Sequence, residues 1–231
     1  MVKETKGKYF NYYVKEYEEG RVAKMGYMSS GDFLEDPKRL AISASRYKFV
    51  SKMLAGCKRV LELGCADAFY STIVAQNVEH LVASDYDPVF IEQAKELGRA
   101  DNMSLKVLDL SKEACENEFD AIYALDVFEH ILPKDEDIFM KNIVRALKNK
   151  EGGGKLILGI PSLESQVYAS EGSKQEHVNC KSGEDFKSFC QKYFHHVFVF
   201  SMNDEVVHTG FYPMAHYLFA VCVGQKILET K

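Results

Sequence analysis

The chain has 231 residues, 46% of them apolar, 27% charged and 12% aromatic, which suits one substantial core or two small ones and excludes disorder, collagen and coiled coil. Its 34 acidic residues outweigh 29 basic ones, for a formal charge of -5, which argues against a general binder of nucleic-acid backbone. No apolar run approaches the roughly 20 residues that span a bilayer. The start, Met1-Val2-Lys3-Glu4-Thr5-Lys6, lacks the apolar centre of a signal peptide. The six cysteines (Cys57, Cys65, Cys115, Cys180, Cys190, Cys222) form no CxxC pair. A soluble chain with reduced thiols in the cytoplasm is expected, with neither membrane nor nucleic acid as a partner.

From the N-terminus, Lys8–Gly20 is rich in tyrosine and charge. Asp36–Ala55 then places Leu40, Ile42, Tyr47, Val50 and Leu54 at helical spacing, with Pro37 near its start. The tyrosines Tyr9, Tyr12, Tyr13, Tyr17 and Tyr27 suit a lid over a ligand and ordinary helix packing equally well. The pattern changes near Lys58. Residues 1–57 are therefore expected to form an N-terminal helical lid, and residues 58–231 one compact domain.

After Lys58, short apolar runs alternate with amphipathic stretches, the signature of a parallel sheet covered by helices. Arg59–Leu63, Leu81–Ser84, Leu105–Leu108, Ala121–Leu125 and Lys155–Ile160 read as buried strands. Helices are expected over Ala68–Gln76, Pro88–Leu97 and Asp135–Lys148, and a short helix or loop over Ser111–Asn117. Ser182–Tyr193 reads as a helix with Ser182 as N-cap. His196–Phe200 and His216–Val223 read as an antiparallel pair. The expected architecture is an α/β, Rossmann-like sheet of seven mostly parallel strands, with helices on both faces and a C-terminal antiparallel hairpin.

The first strand runs through Glu62-Leu63 into Gly64-Cys65-Ala66-Asp67-Ala68-Phe69, a turn before a helix, where such folds bind nucleotides. Asp85 follows 21 residues after Gly64, at the end of the next strand, and suits the two hydroxyls of a ribose. A dinucleotide fingerprint would need further glycines where alanine stands, and Asp67 in the turn would repel a pyrophosphate while suiting a cationic ligand.

Val60-Leu61-Glu62-Leu63-Gly64-Cys65, Asp85, Asp109 and Phe119-Asp120-Ala121-Ile122, leading to Asp126-Val127-Phe128-Glu129-His130, resemble the class I S-adenosylmethionine-dependent methyltransferases. The likeness covers about Arg59 to Phe200. It implies S-adenosylmethionine as cofactor, with Glu62, Gly64 and Ala66 in the loop that supports its methionine part. It further implies Asp85 with Tyr86 at the ribose, Asp109 with Leu110 at the adenine, and Leu125 with Asp126 at the methionine end. The departure is alanine at positions 66 and 68, where the family usually has glycine.

Histidine is matched to removing a hydroxyl proton, and His130 and His177 are the candidate catalytic bases. Ser162, Gln166, Tyr168, His208 and Tyr212 are expected to line a polar acceptor pocket. No HxH or HxxxH spacing occurs among His177, His208 and His216, so no metal is expected. The C-terminal half also resembles bacterial methyltransferases of surface-polysaccharide modification. The expected function is O-methylation of a small polar acceptor such as a sugar or phosphorylated metabolite, with a homodimer left open. A non-catalytic cofactor-binding module and a nicotinamide oxidoreductase are the alternatives.

Overall fold

The computed structural model describes residues 4–113, 115, 118–149 and 153–228. Its strands are β1 (Arg59–Leu63), β2 (His80–Asp85), β3 (Met103–Val107), β4 (Ala121–Leu125), β5 (Lys155–Pro161), β6 (Phe194–Asn203), β7 (Val206–His208) and β8 (Tyr217–Gln225). They form a single sheet in the order β3-β2-β1-β4-β5-β8-β6-β7. The first five are mutually parallel, β8 lies antiparallel between β5 and β6, and β7 pairs antiparallel with β6. The strand order reverses between β1 and β4, which opens the crevice at their carboxyl ends where such sheets bind ligands.

Eight described strands replace the expected seven. The addition is β7, a three-residue return after Asp204, whose φ of 49° makes a tight turn inside what reads as a polar loop. The crossover at Ser111–Asn117 begins as a turn at Ser111 and Lys112; residues 114, 116 and 117 of it lie outside the described residues.

The helices are α1 (Asn11–Glu18), α2 (Tyr27–Glu35), α3 (Lys38–Met53), α4 (Ser71–Ala75), α5 (Pro88–Leu97), α6 (Glu136–Ala146), α7 (Glu171–Glu176) and α8 (Gly183–Gln191). Alternation along the strands divides the core. Val60, Leu81, Ala121 and Ile157 pack with Tyr47, Val50 and Leu54 of α3 and Val74 of α4. Leu61, Ile122 and Leu156 pack on the other face, with Phe139 and Ile143 of α6 and Phe186 and Phe189 of α8. Helices thus cover both faces, as expected.

Ser182 caps α8 by accepting the Asp185 N–H at 3.2 Å. Helix α4 is shorter than Ala68–Gln76 because Ala68 is left-handed (φ 54°), and a right-handed helix begins only beyond it.

The N-terminal helices are fastened to the sheet in two ways. Helix α3 shares the core just described. Helix α2 is held at its start, where Asp67 Oδ2 accepts from both the N–H and the hydroxyl of Ser29, each at 2.8 Å. A Cβ on Gly26 would meet the Asp67 Cβ at 2.4 Å, so only glycine permits this approach. Arg99 donates from Nε and Nη2 to the Asp67 carbonyl at 3.0 and 2.6 Å.

Asp67→Ala keeps the carbonyl that Arg99 uses but removes the carboxylate and leaves the buried Ser29 N–H and hydroxyl without their acceptor, so it should lower stability by about 2–3 kcal/mol. Urea unfolding measures the loss, and proteolysis should cut first within residues 21–35.

Candidate active site

Beyond Leu63 the chain turns left-handed at alternate residues: Gly64 (φ 74°), Ala66 (φ 46°) and Ala68 (φ 54°). A Cβ at Gly64 would lie 2.3 Å from Val127 Cγ2, so glycine is required there by space as well as by φ. At the two alanines the same conformation costs about 1–2 kcal/mol each. The turn is held by the Ala68 N–H on the Cys65 carbonyl (2.8 Å) and by Asp85, whose Oδ2 accepts the Ala66 N–H at 2.9 Å. The alanines therefore keep a glycine-loop geometry under strain.

Asp67 is buried and turned toward α2. It does not face a ligand, in contrast to the cationic partner its place in the turn suggests.

Asp85 is buried at the end of β2, and its other oxygen accepts the Asp87 N–H at 3.0 Å. Asp87, next to Pro88, caps α5 through the Val89 N–H at 2.9 Å, so capping does not consume Asp85. Each carboxylate oxygen of Asp85 retains a second lone pair for a hydroxyl. Tyr86 beside it is exposed.

Glu62 lies on the α3 face of β1, fully buried, and neither carboxyl oxygen has a hydrogen-bond partner among the described residues. Burial pushes its carboxyl up to about 7, although the nearby hydroxyls of Ser71, Tyr47 and Tyr123 pull the other way.

Asp109 follows β3 and accepts from the Ser111 N–H at 2.9 Å and from Lys112 Nζ at 2.8 Å. Burial raises its carboxyl, but the Lys112 and Ser111 bonds outweigh that and hold it below the ordinary range. Leu110 is buried and its carbonyl accepts from Asn142 Nδ2 at 2.7 Å.

Leu125 is buried at the end of β4, and Asp126 after it is left-handed (φ 55°). Both Asp126 oxygens accept from Arg46 Nη1, at 2.9 and 2.7 Å. The Arg46 guanidinium lies 3.8 Å from the centroid of the Tyr217 ring. Arg46 was missed by sequence reasoning. The available signal was a cation between Ile42 and Val50 at four-residue spacing, on the stripe that faces the sheet.

The structure brings His130 and His177 together, edge to face, with centroids 5.3 Å apart. His130 ends the single 3₁₀ turn Phe128–His130 after β4; His177 follows α7. The Asn179 N–H donates to the Glu129 carbonyl at 3.0 Å and ties the two segments. Ligand atoms of Glu129, His130 and His177 all lie within 4.8 Å of one another, a grouping hidden from spacing rules because His177 stands far along the chain. Burial and the neighbouring His130 hold the His177 imidazole below its ordinary range. Burial and Asp126 raise the Glu129 carboxyl well above its own.

Of the other acceptor candidates, Gln166 donates from Nε2 to the Ser162 carbonyl at 3.2 Å and its turn touches the one that carries Tyr212, but the polar groups of the rest are spent or turned away. Ser162 is buried and donates to the Ala215 carbonyl at 2.5 Å. His208 accepts the Gly210 N–H at Nδ1 (2.9 Å), so Nε2 donates to Asn203 Oδ1 (3.0 Å), and both nitrogens are used within the β6–β7 return. Tyr212 packs against Gly183 at the start of α8. Tyr168 projects into solvent, 85% exposed. Gln166 does join the cluster: its Oε1 lies 3.0 Å from His177 Nδ1.

Residues 61–158 match the methyltransferase domain family. Wheat (Triticum aestivum) phosphoethanolamine N-methyltransferase 1 is 30% identical over 163 residues, covering 65% of this chain and 30% of that protein. The chain thus spans under a third of that relative's length. Among solved structures, the N-methyltransferase NodS of Bradyrhizobium japonicum WM9 in complex with S-adenosyl-L-homocysteine superposes with a TM-score of 0.59 and 17% identity, over 78% of this chain and 85% of that one. The DhpI-SAM-HEP complex superposes with a TM-score of 0.58 and 16% identity, over 93% and 95%. Residues 61–158 thus match the methyltransferase domain family, and the sheet around them shares the fold of the N-methyltransferase NodS.

The raised carboxyl of Glu62 has a thermodynamic consequence. Its ordinary value is 4.5 and its folded value about 7, so the folded state holds the extra proton between these limits. This contribution is fully present below the lower value and is lost as pH rises through the upper one. Urea midpoints should fall from about pH 5 to about pH 8, and Glu62→Gln should flatten the decline. Part of the slope should remain, because Glu129 acts in the same direction.

Proposed function

We propose that the chain is an S-adenosylmethionine-dependent methyltransferase acting on an oxygen of a small polar acceptor, a sugar or phosphorylated metabolite. The observation that carries the cofactor reading is the left-handed turn at Gly64, Ala66 and Ala68, clipped by the ribose candidate Asp85. Glu62, Asp85, Asp109 and Asp126 stand at or beside the carboxyl ends of β1 to β4; Asp126 and Asp109 are paired with Arg46 and Lys112, and Asp85 keeps acceptor capacity for the ribose of a sulfonium nucleoside. In this reading Asp85 holds the ribose, Asp109 and Leu110 the adenine end, and the turn with Leu125 and Asp126 the methionine end. When bound, the cofactor supplies a methyl group already electrophilic through its positive sulfur.

The chain's own part is to align the acceptor and relieve it of a proton. His130 and His177 stand past the end of β4, beside Asp126, and we place them at the acceptor. Gln166, whose Oε1 lies 3.0 Å from His177 Nδ1, and Glu129 are the polar side chains beside them. Acid residues around the turn, and alanine where a dinucleotide loop needs glycine, disfavour a nicotinamide cofactor. The surface-polysaccharide role rests on the sequence likeness, and a cytoplasmic site of action on the six cysteines without a CxxC pair.

A second reading, transfer to an amine, is favoured by the wheat relative's N-methyltransferase name. Turnover with labelled S-adenosylmethionine against sugar nucleotides, sugar phosphates and phosphorylated amino alcohols separates the two. Labelling of the amines alone would overturn the oxygen acceptor.

Asp85→Ala should weaken S-adenosylhomocysteine binding about ten- to a hundredfold in calorimetry. Unchanged affinity would remove Asp85 from the ribose role.

A further inference from the structure

Glu129 is fully buried, and no side chain among the described residues hydrogen-bonds to its carboxyl oxygens, whose charged form is favoured only by its own N–H and the more distant Arg46. A buried carboxylate without donors is costly unless a cation meets it. The two imidazoles beside it are oriented as ligands. His130 Nδ1 lies 3.2 Å from the Glu176 carbonyl, which can only accept, so Nδ1 carries the hydrogen and Nε2 is left with a free lone pair. Gln166 Nε2 donates to the Ser162 carbonyl at 3.2 Å, which fixes Gln166 Oε1 as the acceptor for His177 Nδ1–H at 3.0 Å. His177 Nε2 is thereby freed as well. A carbonyl or carboxamide oxygen behind each imidazole is how proteins hold histidine on a metal.

We propose that Glu129, His130 and His177 bind one divalent transition-metal ion, which keeps an open position for an oxygen of the acceptor. Donor atoms within 4.8 Å of one another need to close only to the roughly 3–4 Å that bonds of about 2.1 Å set between ligands. Two imidazoles and one carboxylate favour zinc, manganese or iron over magnesium or calcium. Arg46 pairs directly with Asp126 and acts on Glu129 only through its charge, so the Glu129 oxygens keep their lone pairs for an ion.

The ion's role in transfer rests on the methyltransferase reading; the binding site does not. In that role the two imidazoles hold the ion in place of acting as bases themselves, and the acceptor's proton, made more acidic by the ion, passes to solvent. The acceptor O–H breaks, and the C–O bond forms as the C–S bond breaks, its electron pair going to sulfur.

The test is titration of the chelator-treated full chain with Mn²⁺, followed by electron paramagnetic resonance, and with Zn²⁺ by calorimetry. One ion per chain is expected. His177→Ala and Glu129→Gln should each weaken binding about tenfold or more, Gln166→Ala should weaken it by a similar factor, and His208→Ala should leave it unchanged. Circular dichroism checks that each variant folds, and His130→Ala, at an exposed position, serves if the buried Glu129 variant does not.

No binding up to about 1 mM ion, or binding that these ligand variants do not weaken, overturns the site. An S-adenosylhomocysteine titration runs in parallel. Cofactor binding without metal binding sinks this site alone, and metal binding without cofactor binding sinks the methyltransferase reading alone.

Discussion

The turn after β1 is the constraint on which the rest of the site depends. Three of its five residues are left-handed, two of them alanines, and such a turn persists only because its surroundings over-determine it. Asp85 clips it from β2, Val127 fills the space beside Gly64, and Asp67 at its centre fastens α2. One short segment thus sets the crevice floor, the end of β2 and the position of the N-terminal helices.

The same segment shows how acidic residues divide their work by environment. Asp67 is spent on the Ser29 N–H and hydroxyl, and Asp126 on Arg46. Asp85 is shared between backbone donors and whatever the crevice holds. Glu62 and Glu129 have no hydrogen-bond partners among the described residues, and burial raises both. These two are therefore the carboxyls most responsive to a ligand, since one that supplies charge or hydrogen bonds relieves the largest desolvation cost.

Four of the parallel strands were legible because each is short, apolar and bounded by turn residues, whereas the edge strand β3 starts two residues before the expected Leu105 and is not buried; Pro88–Leu97 was found to the residue because Asp87-Pro88 and Gly98 mark its ends. The start of α4 was misplaced because left-handed alanine has no sequence signature, and β7 because three residues are too few for a pattern. In the site, residues on strand ends were placed by the fold's own logic. The acceptor candidates were read from polarity alone, and polarity does not distinguish a hydroxyl already spent on a backbone carbonyl, as in Ser162, from a free one. The pairing of His130 with His177 was beyond spacing rules because the intervening β5 and α7 bring it about.

Val127 stands between two regions otherwise treated apart. Its side chain fills the place of the missing Cβ at Gly64, while its carbonyl accepts the His130 N–H at 3.0 Å. The crevice floor and the histidine pair therefore share a wall one residue thick. A change of side chain at position 127 would therefore press on the Gly64 turn from the same residue whose backbone holds the His130 N–H.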